Sequence, residues 1–372
     1  MEQQRAHEMN STDSNLDGIS PALLKATGLD VHQNTRSPSR QRRGKLKNTL
    51  VAEKIYTPRR KESIVTPFNL KPHQVKARTG FPDIAMLLSY VMLVCDGDIS
   101  TVTSRVSTLT FFEEWMLYFE FIYGKTVPSL EAARSAYDVK DPRVVRKIIK
   151  RKIEMVKESR KKWPSYATID EDEKLRDPDW NEKYNGKRVV FWDNTGIDLH
   201  KPTDALLQRL TYSPYYAGNV AKGGIYLQLC GWLGVHELYP GAMSDSDYLN
   251  KTDILQRQLR FQMGDGGTKF LNILDRGYRS TRAAWASGQL ILQPTFAKSD
   301  KQFSTIDLIR STSVAADRSG NERAVRVTKM SAYVKRGTQT HKNIEQLSDV
   351  WKTWSYQSNF MFKSVLKILF IL

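Results

Sequence analysis

Apolar positions are scattered and without period over residues 1–80, which are rich in Ser, Thr, Asn, Gln, Lys and Arg; this predicts a disordered basic tail. Periodicity begins after residue 80. Asp83–Asp96 is a largely apolar run, and Thr110–Tyr123 opens on a cap-type Thr with Glu113 three residues on, so both predict helices. Pro128–Tyr137 predicts a short helix, Asp138–Asp141 a turn, and Pro142–Lys162 a longer helix with Pro in its first turn, together a helix-turn-helix pattern. Within the long helix Val144, Val145, Ile148, Ile149, Ile153 and Val156 form an apolar stripe, and Trp163-Pro164 ends it. The predicted all-helical unit spans 81–164, and the charged stretch 165–187 is expected to be a linker.

From Arg188 the spacing of apolar residues changes from helical to strand-like. Strands are predicted at Arg188–Leu199, Gly223–Leu233, Val235–Gly241, Lys269–Asp275 and Gln289–Pro294. Helices are predicted at Ser244–Phe261, Thr281–Ser287 and Glu322–Lys335. Three strands, helix, strand, helix, strand, helix is the ribonuclease-H-like order, a mixed sheet covered by helices, so the expected class is α/β with the catalytic domain at 188–340. Residues 341–372 are expected to supply a final helix, aromatic over Leu347–Phe362, that packs on the core. The apolar end Val365–Leu372 suits a groove or an oligomer interface.

Charge changes this picture from architecture to partner. The chain has 372 residues, with 57 Lys and Arg against 40 Asp and Glu, a net charge of +17. Such an excess suits a polyanion, because each phosphate neutralised releases condensed counterions. Between Lys140 and Lys162 there are 11 basic and 3 acidic residues. Arg143, Arg146, Lys147, Lys150 and Arg151 accordingly read either as cations of a helix set against DNA phosphates or as an ordinary solvated face. The basic clusters Ser39–Lys47 and Pro58–Lys61 suit nuclear import. Two cysteines, Cys95 and Cys230, exclude a disulfide framework and suit a reducing compartment. The longest apolar runs, Ile84–Cys95 and Val365–Leu372, fall short of a membrane span, so no membrane partner is expected.

The chemistry follows from the order of the acids. Asp193 lies on the first predicted strand, Asp275 just after the fourth, and Glu322 on the late helix, three places that the ribonuclease-H-like order brings to one end of the sheet. Carboxylates are the hard ligands that Mg²⁺ or Mn²⁺ prefers. Two such ions neutralise a scissile phosphate and activate water or a 3′-hydroxyl. Asp193, Asp275 and Glu322 are therefore the expected catalytic residues and ligands, with Asp245 as an auxiliary ligand or, together with Asp247, a helix start. Asp198, five residues after Asp193, falls on the opposite face of a regular strand. Arg323, Arg326 and Lys329 share the helix of Glu322 and are expected to hold phosphates. No Walker-type loop, Cys-x-x-Cys, Gly-x-Ser-x-Gly or His-Glu-x-x-His occurs, which removes the chemistries those motifs serve.

Trp192-Asp193-Asn194-Thr195, Pro240–Asp247, Leu274-Asp275-Arg276-Gly277-Tyr278 and Asn321-Glu322-Arg323-Ala324 resemble, in order, the blocks of Harbinger-type DDE transposases, members of the DDE superfamily endonucleases. The resemblance covers roughly residues 110–365. It maps the family's two Asp and one Glu onto Asp193, Asp275 and Glu322, and the Asp of its Gly-x-x-x-Asp block onto Asp245. Asn194 stands where the family commonly has Gly, and the His that usually follows is missing. The resemblance implies a ribonuclease-H-like nuclease that binds element ends, cleaves strands and joins them to a target. It also implies a homo-oligomer and a separate Myb-like DNA-binding partner. A host-recruited, catalytically silent descendant that only binds DNA, and a nuclease with a repair role, remain as alternatives.

Overall fold

The computed structural model describes residues 70–97, 109–124, 129–264, 269–278, 288–294, 303–335 and 344–362. Of the tail expected over residues 1–80, residues 1–69 with their basic clusters lie outside the described residues, as do the helix over Thr281–Ser287 and the apolar end Val365–Leu372; its last part is not disordered, because Pro72–Thr79 forms a helix that buries Val75. The chain divides into two compact units, Met1–Met155 and Val156–Leu372.

The first unit is helical: α1 Pro72–Thr79, α2 Ile84–Val94, α3 Phe111–Tyr123, α4 Leu130–Ala136 and α5 Pro142–Arg160, the last of which runs across the division. Side-chain caps start three of them. Asp83 accepts from the Met86 amide at 2.8 Å, Thr110 and Glu113 form a reciprocal capping box, and Ser129 accepts from the Ala132 amide at 3.1 Å. Every residue of α3 is buried, so its aromatics form the core of this unit. Two of its three buried acids take cationic partners: Glu114 lies 3.3 Å from Lys152 of α5, and Glu120 is bonded by Arg78. Asp138, in left-handed backbone at φ 49°, turns the chain from α4 towards α5. Among the described residues no single helix is long and apolar enough to cross a membrane, although α1 and α2 together, bent by 50°, have the composition.

The second unit opens with α6 Ile169–Leu175 and α7 Pro178–Lys183. The stretch expected to be a bare linker thus folds, because Thr168 and Glu171 form a capping box and Asp177 caps a helix with Pro at its first position. It is pinned by a buried Arg176–Asp172 pair, by Arg176 donating to the Lys187 carbonyl at 3.1 Å, and by Tyr184 donating to Asp317 at 2.5 Å.

The sheet follows: β1 Arg188–Asp198, helix α8 Ala205–Thr211, the two-residue β2 Tyr212–Ser213, β3 Gly218–Gln228 and β4 Leu233–Pro240. Beyond these come helices α9 Asp245–Lys251 and α10 Ile254–Gly264, then β5 Phe270–Ile273 and β6 Leu290–Leu292. Helices α11 Thr305–Asp317, α12 Ser319–Thr328, α13 Ala332–Lys335 and α14 Ile344–Met361 complete the unit. The main strands lie in the order β4-β3-β1-β5-β6, with β2 on the far end of β3. Pairings β4–β3 and β3–β1 are antiparallel, whereas β1–β5 and β5–β6 are parallel. The class is therefore mixed α/β with a mixed sheet.

The expected single helix over Ser244–Phe261 is split. Thr252 leaves helical backbone at ψ 162° while its hydroxyl donates to the Tyr248 carbonyl at 2.6 Å, and α10 restarts after Asp253. Glu322–Lys335 is likewise two helices, and α12 begins three residues before Glu322. Under α9 and α10 the core gathers Val190, Trp192, Tyr226, Tyr248, Phe270 and Tyr278. Helix α14 packs on β4 and α12, with Trp351 donating to the His236 carbonyl at 3.2 Å and Trp354 to the Val327 carbonyl at 3.0 Å.

Candidate active site

The parallel pairing of β1 with β5, with Phe191 opposite Ile273, carries both chains forward to acids at the same end of the sheet, Asp193 and Asp275. The Asp275 turn is fixed by its own backbone: the Tyr278 amide donates to the Asp275 carbonyl at 3.2 Å, and Gln293 donates to the carbonyls of Asp275 at 2.9 Å and Tyr278 at 3.0 Å. Asp245 arrives from the first turn of α9, whose Tyr248 hydroxyl accepts from the Gly224 amide at 2.8 Å and so seats the helix on β3.

These three acids converge. Asp193 is pushed up to about 6 by burial, and the Asp275 and Asp245 charges push in the same direction against the Asn194 amide and Arg318. The Asn194 side chain donates to Asp245 at 3.0 Å, so the residue that departs from the resembled pattern ties the first block to the second. A Cβ on Gly277 would stand 2.6 Å from an Asp245 oxygen. The glycine of Asp275-Arg276-Gly277-Tyr278 is thus required for Asp245 to approach the Asp275 turn. Beneath them Tyr278 is buried, its hydroxyl has no hydrogen-bond partner, and burial with the charges of Asp193 and Asp245 holds it protonated.

Three cations stand among the acids. Arg318, between α11 and α12, donates to Asp275 at 2.8 Å, and Lys222 of β3 lies 3.0 Å from Asp245. Lys329, lowered by burial, feels the charges of Asp198 and Asp193 and lies over the Tyr216 ring. Sequence periodicity gives no signal for Arg318 or Lys222, because neither lies near its acid in the chain. Tyr216 is also distant in sequence, yet its hydroxyl accepts from the Gly196 amide at 2.8 Å and braces β1 just beyond Asp193.

Glu322 is placed differently. Its neighbour Asn321 is buried and donates to the Trp192 carbonyl at 3.1 Å, which sets α12 against the strand residue preceding Asp193. Glu322 itself is exposed, and its charge acts on Arg323. Arg323 is half-buried with Nε and one terminal nitrogen lacking hydrogen-bond partners, and Arg326 is exposed. As they stand, no three His, Cys, Asp or Glu among the described residues are close enough to hold a metal ion. Asp193, Asp245 and Asp275 offer oxygen donors only, the donor type hard divalent cations prefer, and burial above all makes Asp193 costly to ionise.

On α5 of the first unit, Arg143, Arg146, Lys147 and Lys150 are exposed, opposite the buried Val145, Ile148, Ile149 and Ile153. Arg143 is paired with Asp141 at 2.9 Å, and Arg151 is half-buried. Comparison with protein-family models, with curated proteins and with solved structures returns no match.

Proposed function

We propose that the chain is a DNA transposase or endonuclease of the DDE superfamily type, with a ribonuclease-H-like catalytic domain, acting on phosphodiester bonds in the nucleus. The observation that carries the reading is the convergence of Asp193, Asp245 and Asp275, 82 residues apart at their extremes (275 − 193), at the end of β1 and β5. The strand order, with antiparallel β4-β3-β1 and parallel β1-β5-β6, supports it.

In this reading Asp193 and Asp275 hold Mg²⁺ or Mn²⁺, two ions in all, with Glu322 as third ligand and Asp245 as auxiliary. When bound, such ions neutralise the phosphate and lower the pKa of the attacking water or hydroxyl. The residues of the chain do the rest. Asn194 and Gly277 place Asp245 against the Asp275 turn, and Tyr278 sets a buried, protonated hydroxyl beneath the acids. Arg318 and Lys222 neutralise the acids until ligand arrives, then become free to turn to phosphate oxygens. Arg323, Arg326 and Lys329 supply further cations on α12 and just beyond it. Exposed Glu322 would join the other acids through a movement of α12 about the anchor at the adjacent Asn321. The cations of α5 hold DNA backbone, and the active species is a homo-oligomer on element ends, with a Myb-like protein as accessory.

The test is nicking of supercoiled plasmid by purified full chain. Cleavage is expected with Mg²⁺ or Mn²⁺ and absent with chelator, and Asp193→Asn, Asp275→Asn and Glu322→Gln are each expected to reduce it about 10³-fold or more while DNA binding persists. Undiminished cleavage in all three variants would sink the assignment. One observation favours the second reading, a silent DNA-binding descendant: Asp275 and Asp245 already carry cationic partners. DNA binding without metal-dependent cleavage by the unaltered chain selects that reading.

A further inference from the structure

The turn that joins β2 to β3 carries an aromatic side chain that the core does not use. Ser213 pairs with Gly218, and the Ala217 amide donates to the Pro214 carbonyl at 3.3 Å, so Tyr215 and Tyr216 are the central residues of a tight reversal. Ala217 closes it in left-handed backbone at φ 49°, a conformation that residues with a side chain rarely adopt. Tyr216 turns towards β1, whereas Tyr215 is 87% exposed, more than any other large hydrophobic side chain among the described residues. Exposure of a single ring is ordinary; what matters here is how this ring is mounted and where.

The mounting runs back to the acids. The Tyr216 hydroxyl accepts from the Gly196 amide at 2.8 Å, and its ring lies so close over the strand that a Cβ on Gly196 would stand 2.7 Å from it. Gly196 is three residues after Asp193 on β1 (196 − 193). Burial, with a further push from the Asp193 charge, keeps the Tyr216 hydroxyl protonated, and the Lys329 ammonium lies 5.9 Å from the centre of the same ring. Tyr215 stands edge-on to this braced ring, with centroids 4.8 Å apart and planes at 86°. Its direction is thereby set while almost all of its surface stays open to a ligand.

A nucleobase has the matching chemistry. It is flat, it presents a π-face whatever its identity, and it arrives on an anionic backbone that Lys329 and a net charge of +17 attract. A base inside a duplex has both faces covered by its neighbours, so only an unpaired base can be taken up. We propose that Tyr215 stacks an unpaired base of the DNA strand whose backbone lies at the acids, with Lys329 on a neighbouring phosphate. The inference rests on the nuclease reading for the place of that strand, and it adds a substrate preference: DNA that is open or single-stranded beside the bond to be cut.

The experiment measures binding by the full chain, in chelator so that nothing is cut, of an oligothymidylate of about 20 nucleotides and of a blunt duplex of the same length. Tyr215→Ala is expected to bind the single strand about 10-fold more weakly and the duplex less than about 2-fold more weakly, with an unchanged melting temperature because the lost ring is exposed. Tyr215→Trp is expected to restore single-strand affinity, as a stacking platform requires. A 2-aminopurine placed in the single strand is expected to be quenched by the unaltered chain and less so by Tyr215→Ala. Metal-dependent nicking of plasmid is measured alongside, so that the two readings fail separately. No nicking, with the Tyr215 dependence intact, sinks the nuclease and supports the stacking. Unchanged single-strand affinity in Tyr215→Ala, or an equal loss for single strand and duplex, overturns the proposal even where nicking is seen. Dissociation of an oligomer by Tyr215→Ala also overturns it, by assigning the ring to a contact between copies.

Discussion

A carboxyl that titrates near 6 in the folded chain, against 3.8 ordinarily, is costly to ionise there, so its charge opposes folding. The contribution of Asp193 is favourable at pH below 3.8 and is lost as pH rises through about 6. Replacing it with Asn keeps the shape and deletes the charge. In the metal-free chain at pH 7, Asp193→Asn is therefore expected to stabilise by about 1–2 kcal/mol, allowing for solvent screening, and to raise Tm by a few degrees in a calorimetric scan. A fall in Tm of similar size would mean that the carboxylate is held for structure. Gain of stability with loss of activity is the signature of an acid kept for chemistry. Asn194 and Gly277 belong to the same argument: one donates to Asp245, the other leaves it room.

At the scale of elements, α5 and β4 make separate predictions. The exposed cations of α5 contribute little to folding, so the triple variant Arg146→Gln, Lys147→Gln, Lys150→Gln is expected to leave Tm unchanged. If these side chains touch phosphates, it weakens DNA binding and flattens the plot of log affinity against log salt by up to about 2.7, at roughly 0.9 for each phosphate no longer neutralised. An unchanged slope would identify a solvated face. On β4, His236 is buried neutral, with its folded value lowered to about 3 from 6.5. The unfolded chain binds a proton at His236 that the folded chain does not between those values, so its contribution to stability is present above 6.5 and is lost as pH falls towards 3. Asp193 works in the opposite direction over part of that window, so the difference between chains is the cleaner quantity. Relative to the unaltered chain, His236→Phe is expected to lose a few kcal/mol less stability between pH 7 and pH 4 in chemical denaturation. Parallel pH profiles would contradict the burial of a neutral imidazole.

The whole molecule shows what local sequence carries. The five main strands and the change from helical to strand spacing at Arg188 are legible because period and turn residues lie within a few positions of one another, although β3 runs over Gly218–Gln228 and not over the expected Gly223–Leu233. Thr110 with Glu113 announces α3 for the same reason. The helices of 165–187 carry an equally local sign, Thr168 with Glu171, but their charge outweighs it in a reading by composition. The break at Thr252 escapes periodicity because one hydroxyl bonded to the backbone decides it. The site divides in the same way: Asp193 and Asp275 follow from strand order, since parallel strands end together, while Asp245 acquires its place through Asn194 and Lys222, distant in the chain. The cations that balance the acids, Arg318 above all, arise from tertiary packing and leave no trace in spacing.

The central claim is that Asp193 and Asp275 belong to one metal site. Mn²⁺ binding, followed by electron paramagnetic resonance on the full chain with DNA present, tests it most directly. The account predicts bound Mn²⁺ in the unaltered chain, affinity at least about tenfold weaker in both Asp193→Asn and Asp275→Asn, and recovery of neither by raising the DNA concentration. Equal Mn²⁺ binding by the unaltered chain and both variants, or no binding by any of them, would contradict it.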